Sequence, residues 1–219
     1  MKSLAEHLVA IQTKLAGEPA RIDRDDNLWD AAVLVPLVHC AEGIGVLFEV
    51  RAADIGWQPG DVCFPGGKSE CTDVDFAATV VRETCEELGV QASDIELLGA
   101  LNYLVTHMGP IIHPYVGRLS NWQEAQYNPS EVAELFVVPL KALMATSPRT
   151  AHMQLANRAG ADFPFDLLPR HPREWNRRNG YDVYFYEYQG HVIWGLTARI
   201  LHGFLQRFAK ELTEMLEEA

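Results

Sequence analysis

The sequence predicts one α/β domain of the mixed α+β kind, in which helices cover a mixed β-sheet. The chain has 219 residues, which is enough for one sizeable core and short for two, so we expect residues 1–219 to form a single domain. Its composition, 48% hydrophobic and 22% charged, is that of a globular protein. Strand candidates outnumber helix candidates and several follow one another as hairpins, which favours a mixed sheet over a doubly wound parallel one.

The first elements are a helix and a hairpin. Apolar residues recur at helical spacing over residues 4–15, which predicts an amphipathic helix that packs on the body of the protein. Two apolar runs follow at 31–39 and 44–51, joined by a four-residue link that ends in Gly43. They predict two strands paired as a hairpin.

The next helix is predicted over residues 75–88, with apolar side chains on one face and glutamates on the other. Thr72 or Asp73 is the expected cap at its start, and Gly89 is expected to end it. Further strands are predicted at 95–102, 111–119, 132–138, 183–188 and 191–195. The apolar spacing from Leu196 to Met215 predicts one long C-terminal helix.

The segment 147–180 differs in composition from the rest of the chain. It contains several Pro and Gly residues and has a local charge of +3, whereas the whole chain has a net charge of −12. We therefore predict that 147–180 is a long surface insertion, or a lid that closes over a site.

Composition also excludes several classes of partner. Nucleic-acid phosphates require a basic surface, so the acidic balance of −12 argues against nucleic acid. The sequence contains no run of 18 apolar residues, so we expect neither a membrane span nor a membrane partner. The four cysteines form no CxxC pair, which indicates reduced thiols and a cytoplasmic protein. The terminal helices have enough apolar surface to serve a homodimer, although packing on their own sheet explains them equally well.

The most informative feature is the segment 82–90, which reads RETCEELGV. On a helix, Glu83, Glu86 and Glu87 share one face, since positions three and four apart are neighbours. A run of charges is usually a solvated face. Carboxylates this close repel one another, however, and a hard divalent cation with oxygen ligands is the most economical counter-charge.

A glycine pair precedes this helix. Gly66 and Gly67 follow Phe64-Pro65, and glycine lets the backbone approach a ligand closely. Loop and helix together resemble the Nudix box, the signature of hydrolases that cleave a nucleoside diphosphate linked to another group. The second half of the box is complete at 82–90, with Thr84 at an apolar position that tolerates threonine. In the first half, the usual glutamate falls at Val74, and the nearest carboxylate is Asp73, shifted by one residue.

That shift resembles one subgroup of the family, the coenzyme A pyrophosphatases. Their upstream motif matches this chain at 47–52, at Gly60 and at the FPGG of 64–67. One position departs from the motif, since Gly56 stands where the subgroup has its second arginine.

The resemblance implies a Nudix-type α/β/α sandwich that binds Mg²⁺ or Mn²⁺. The implied metal ligands are Glu83, Glu86, Glu87 and the backbone carbonyl near Gly67. Glu83 and Glu86 are also the implied catalytic carboxylates. Glu131, in a later loop, is the candidate general base.

Substrate contacts are expected from a second set of residues. The resemblance implies that these residues are Arg51, Phe64, Gly66, Gly67 and Arg82. Three of them have an alternative role. Arg51 is also explained as a surface residue at a strand end, Phe64 as a residue that shapes the loop, and Arg82 as a structural partner of a helix carboxylate. The implied reaction is metal-dependent hydrolysis of the diphosphate of coenzyme A or its derivatives. Its alternatives are hydrolysis of another nucleoside diphosphate derivative, such as ADP-ribose, NADH or a nucleoside triphosphate, and a catalytically silent domain that senses a nucleotide.

Overall fold

The structure is a computed structural model that describes residues 4–17, 22, 28–56, 58–106 and 109–218. The helices are α1 (Leu4–Gly17), α2 (Phe76–Leu88), α3 (Leu140–Ala145), α4 (Gly195–Arg207) and α5 (Ala209–Glu218). The strands are β1 (Trp29–Cys40), β2 (Gly43–Arg51), β3 (Val62–Cys63), β4 (Gly66–Lys68), β5 (Ile95–Ala100), β6 (Leu104–Val105), β7 (Pro110–Leu119), β8 (Val132–Pro139), β9 (Arg149–Asn157), β10 (Asn176–Tyr188) and β11 (His191–Trp194).

The main sheet is mixed, as expected. Within the described ranges it has eight strands, with the order β3-β2-β1-β7-β5 and with β4, β6 and β8 paired to β1, β7 and β2. Strands β1 and β7 are parallel, and the other pairs are antiparallel. The predicted hairpin is confirmed, because β1 and β2 pair from Leu37 opposite Val46 to Cys40 opposite Gly43.

Helices lie on both faces of this sheet. On one face, Val80 of α2 packs with Ala32 and Leu34 of β1. On the other face, α4 contributes Leu201 and Phe204 to the largest apolar cluster of the core. The predicted α/β/α sandwich with a mixed sheet is therefore confirmed, and α2 carries the glutamate face to one side of the sheet.

The segment 147–180 contains more regular structure than its composition indicates. Its two ends belong to β9 and β10, which form a second, three-stranded sheet with β11. Strand β9 is almost wholly exposed, and its short apolar–polar alternation at 151–155 lies inside a segment whose Pro, Gly and Arg content indicates a loop. Between the strands, the guanidinium of Arg173 lies over the Phe165 ring at 4.2 Å and that of Arg158 over the Trp175 ring at 5.1 Å. A lid function for this segment stays a prediction.

Two helix predictions need correction. The apolar side chains of Leu8, Ile11 and Leu15 are exposed, so α1 does not pack on the body as expected. The long C-terminal helix is divided into α4 and α5 at Phe208, where the backbone leaves helical geometry while the ring packs on Phe204 with centroids 5.6 Å apart. Among the described residues, no helix combines the length and the apolar character needed to cross a membrane.

Candidate active site

The glutamate helix is held by caps at both ends. Asp75 is the residue that caps its start, since its carboxylate accepts a hydrogen bond from the Ala78 N–H at 2.8 Å. The prediction that Thr72 or Asp73 caps the start of this helix is therefore wrong. Gly89 ends the helix as predicted, in the left-handed conformation with φ 66°, and donates to the Cys85 carbonyl at 2.9 Å.

The glycine pair is required by close packing against the sheet and the helix. Gly66 has φ 144°, and a β-carbon there would overlap the carbonyl of Ala32. A β-carbon at Gly67 would overlap the carboxylate of Glu83. Glycine is required at Gly66 by the backbone of β1, whereas a side chain at Gly67 would displace the Glu83 carboxylate, so this loop backbone lies directly against the glutamates.

Glu87 faces the interior. It is only 6% exposed, and its Oε2 accepts a hydrogen bond from the Gly66 N–H at 2.7 Å. Burial, and next the negative charge of Glu49, raises the pKa of Glu87 to about 9. A bound cation would oppose both effects and favour the ionised carboxylate.

Glu49 completes this buried pair, and it was not predicted as a site residue. It lies on β2, is 1% exposed, and accepts a hydrogen bond at Oε1 from the Cys63 thiol at 3.1 Å. Its other oxygen, Oε2, is buried and has no hydrogen-bond partner in the described part of the chain. Burial raises the pKa of Glu49 to about 7. The available signal was an acidic residue inside the apolar run of β2, where a carboxylate without a partner is costly.

Arg51 lies two residues further along the same strand and turns to the same side. Its Nη1 is 3.8 Å from the Cys63 sulfur, and its positive charge lowers the pKa values of Glu49 and Glu87. The structure therefore brings this predicted substrate-binding residue to the edge of the carboxylate cluster.

Arg82 ties the loop to the helix. Its Nε and Nη2 donate to the two oxygens of Asp73, each at 2.9 Å, and its Nη1 donates to Glu83 at 2.9 Å and to Glu86 at 3.2 Å. Nη2 also donates to the Lys68 carbonyl at 3.1 Å. Hydrogen bonds from Arg82 hold the pKa of Asp73 well below its usual range.

This geometry decides between the two roles considered for Arg82. Every guanidinium nitrogen is already engaged, so the structure supports the structural pairing and not the expected substrate contact. Phe64 also needs correction. Its ring is 3% exposed and stacks on Phe48 with centroids 5.0 Å apart, so it packs the core and has almost no surface for a substrate.

Two further predicted carboxylates lie at this site. Burial raises the pKa of Glu83 while Arg82 lowers it, and the charge of Glu131 is among the smaller causes that raise it. Glu131 also raises the pKa of Glu49. Its backbone carbonyl accepts from the Ala52 N–H at 2.8 Å, which fixes the loop before β8 next to the end of β2. The candidate general base therefore lies within electrostatic reach of the cluster.

The donor chemistry of this cluster suits a hard divalent cation. All the side chains concerned offer carboxylate oxygens, which are the ligands that Mg²⁺ and Mn²⁺ prefer. The buried Oε2 of Glu49 has no hydrogen-bond partner in the described part of the chain, and burial makes the ionised forms of Glu49 and Glu87 costly, which raises both pKa values. Among the described residues, no three His, Cys, Asp or Glu side chains stand in a ready-made metal-binding arrangement. In this structure Arg82 binds Glu83 and Glu86, and the Gly66 N–H binds Glu87.

Comparison with known proteins places this site in a family. The NUDIX domain model matches residues 28–157. The uncharacterized Nudix hydrolase NudL of Photorhabdus laumondii is 33% identical over 207 residues, covering 94% of this chain and 98% of that protein. The peroxisomal coenzyme A diphosphatase NUDT7 of Mus musculus is 36% identical over 132 residues, covering 60% of this chain and 55% of that protein.

One solved structure agrees with this fold over most of the chain. The crystal structure of a MutT/nudix family protein from Enterococcus faecalis covers 95% of this chain and 70% of its own, with a TM-score of 0.50 and 14% identity. The expected resemblance to the family and to its coenzyme A pyrophosphatase-like subgroup is confirmed by these matches. The chain belongs to the Nudix hydrolases, which are pyrophosphohydrolase enzymes that generally use divalent metal ions.

Proposed function

We propose that this enzyme hydrolyses the diphosphate bond of coenzyme A or its derivatives, with Mg²⁺ or Mn²⁺ as cofactor. The products are 4′-phosphopantetheine, or its acyl form, and adenosine 3′,5′-bisphosphate. The observation that carries the proposal is the carboxylate cluster at the glycine pair, formed by Glu49, Glu83, Glu86 and Glu87 beside Arg51.

The cluster suits diphosphate chemistry because a diphosphate is a multiply charged anion. Divalent cations, when bound, neutralise its oxygens and lower the pKa of an attacking water. Glu83, Glu86 and Glu87, with the carbonyl near Gly67, are the residues that would hold them.

The remaining residues of the site have roles that need no metal. Arg51 offers the diphosphate a guanidinium, which suits phosphate oxygens. The glycine pair has no side chains and lets the anion approach the backbone. Glu131 is the proposed general base, which removes the proton of the attacking water.

The choice of coenzyme A rests on two observations. The upstream motif matches the subgroup at Arg51, at Gly60 and at the FPGG of 64–67. The similarity to the mouse coenzyme A diphosphatase spans 60% of this chain.

A second candidate substrate class is favoured by Gly56. This glycine replaces an arginine of the subgroup motif, and a β-carbon there would have no described atom within 4 Å. If that arginine binds coenzyme A in other members of the subgroup, this chain lacks the contact. Another nucleoside diphosphate derivative, such as ADP-ribose or NADH, is then the alternative substrate.

The test is a panel of coenzyme A, acetyl-coenzyme A, ADP-ribose and NADH, each incubated with Mg²⁺ or Mn²⁺ and analysed by chromatography. We expect the highest kcat/KM with coenzyme A or its acyl form, and release of adenosine 3′,5′-bisphosphate. Preferred turnover of ADP-ribose or NADH would contradict the substrate assignment while leaving the hydrolase assignment intact.

A further inference from the structure

A cavity of about 520 Å³ lies across strand β2 from the carboxylate cluster and has no role in the chemistry above. One wall comes from the main sheet, through Val50 and Val62 on β2 and β3. The opposite wall comes from the second sheet, through Phe185, Val192 and Trp194. The second wall lies outside residues 28–157, which the family domain matches.

The cavity and the cluster share strand β2 and lie on its opposite faces. Successive side chains of a strand point to opposite faces, so Val50 faces the cavity while its neighbours Glu49 and Arg51 face the cluster. The backbone at the rim of the cavity is hydrogen-bonded to the backbone of Arg51. The Arg51 carbonyl accepts from the Gly60 N–H at 3.1 Å, and the Arg51 N–H donates to the Asp61 carbonyl at 3.0 Å. To reach the cavity, a ligand held at Arg51 has to pass round the end of β2, where these backbone bonds join the cavity rim to Arg51.

The walls favour an uncharged, partly apolar ligand. The rings of Phe185 and Trp194 are nearly parallel with centroids 6.2 Å apart, and Val192 and Trp194 are 44% and 40% exposed. Such exposed apolar surface around a cavity is typical of small-molecule sites.

The charges at the cavity are mainly acidic. Asp61 accepts a hydrogen bond from the Trp194 indole N–H at 3.3 Å, which leaves its carboxylate at the rim. His191 lies 3.2 Å from Glu134 and stacks on Phe136 with centroids 3.9 Å apart. Neither lysine nor arginine lines the cavity among the described residues. A phosphate group would be repelled here, whereas an amide N–H would find an acceptor in Asp61.

We propose that this cavity binds the uncharged, amide-containing pantetheine arm of the substrate, so that the second sheet determines specificity for that arm. The proposal rests on the proposed function, because it takes the diphosphate to lie at Arg51. It also sets the direction of the substrate: the pantetheine end enters the cavity, and the phosphorylated nucleoside end points away from Asp61 and Glu134.

Product inhibition separates the two ends of the substrate. Trp194→Ala removes one aromatic wall, and Val192→Asp adds a negative charge to the cavity. Each is expected to weaken inhibition by 4′-phosphopantetheine about tenfold, roughly the loss of one aromatic or apolar contact, and to change inhibition by adenosine 3′,5′-bisphosphate less than twofold. Leu98→Asp, at a residue that is 60% exposed on β5, is the matched control and should change neither.

Direct binding gives a readout that does not need turnover. Pantetheine titrated into the metal-free protein is expected to quench tryptophan fluorescence, and Trp194→Phe should remove that quenching. Equal weakening of both products, or a loss confined to the nucleoside product, would overturn the assignment of the cavity. Binding and quenching as expected, without any hydrolysis of coenzyme A, would contradict the proposed function alone.

Discussion

Glu49→Gln tests whether the buried carboxylate of β2 is held in an unfavourable charged state. Glu49 is 1% exposed and its Oε2 has no partner in the described part of the chain. Glutamine has the same shape, and its amide oxygen can still accept from the Cys63 thiol. The substitution therefore removes the charge and keeps the packing.

The expected size follows from the pKa. Burial raises the pKa of Glu49 from about 4.5 to about 7. Because the folded protein binds this proton more tightly than the unfolded chain, the stabilisation is complete below about pH 4.5 and is lost as the pH rises through about 7. At roughly 1.4 kcal/mol for each pKa unit, ionised Glu49 costs the metal-free protein about 3 kcal/mol at pH 8.

Urea denaturation of the metal-free protein in EDTA measures this cost. Glu49→Gln should be more stable than the parent by up to about 3 kcal/mol at pH 8 and close to it at pH 5. Glu96→Gln, on the exposed face of β5, is the control and should show no such difference. An effect of Glu49→Gln that is the same at both pH values would refute the reasoning, because a lost contact acts independently of titration.

Three other substitutions test neighbouring parts of the site. Gly67→Ala places a β-carbon against Glu83 and should lower kcat about tenfold or more. The control, Gly203→Ala in α4, places a β-carbon in open space and should leave kcat unchanged. Equal effects of the two substitutions would contradict the close approach of the Gly67 backbone to Glu83. Gly56→Arg restores the arginine of the subgroup motif at a position where a β-carbon meets no described atom within 4 Å. It should lower KM for coenzyme A about fivefold, which is roughly the contribution of one exposed charged contact. An unchanged KM would show that this position does not bind coenzyme A. Arg82→Lys loses the forked contacts to several carboxylates and should lower the melting temperature by about 5 °C; an unchanged melting temperature in calorimetry would contradict its structural role.

Much of the fold could be predicted because local signals were strong. The β1–β2 hairpin had two continuous apolar runs, α2 had clear apolar periodicity, and Gly89 is the residue type that tolerates the positive φ of a helix end. Strand β9 was missed because its alternation is confined to residues 151–155 and the Pro, Gly and Arg content of the surrounding segment indicated a surface insertion. The break at Phe208 was missed because its ring continues the apolar spacing of the helix while the backbone does not.

The candidate site was predictable where spacing along one helix decides proximity. Glu83, Glu86 and Glu87 share a face for that reason. Glu49 was missed because it is distant in the sequence from Glu87, and the two meet only through the packing of α2 on the sheet. The burial of the Phe64 ring depends on tertiary packing on Phe48, which a loop motif does not encode.

Mn²⁺ binding tests the central claim, that the carboxylate cluster at the glycine pair holds a divalent cation. Electron paramagnetic resonance follows free Mn²⁺ as it is titrated with the parent protein, with Glu83→Gln and with Glu124→Gln, an exposed control outside the cluster. We expect the parent and the control to bind alike and Glu83→Gln to bind at least about tenfold more weakly, as the loss of one charged ligand predicts. Equal affinity in all three proteins would contradict the claim.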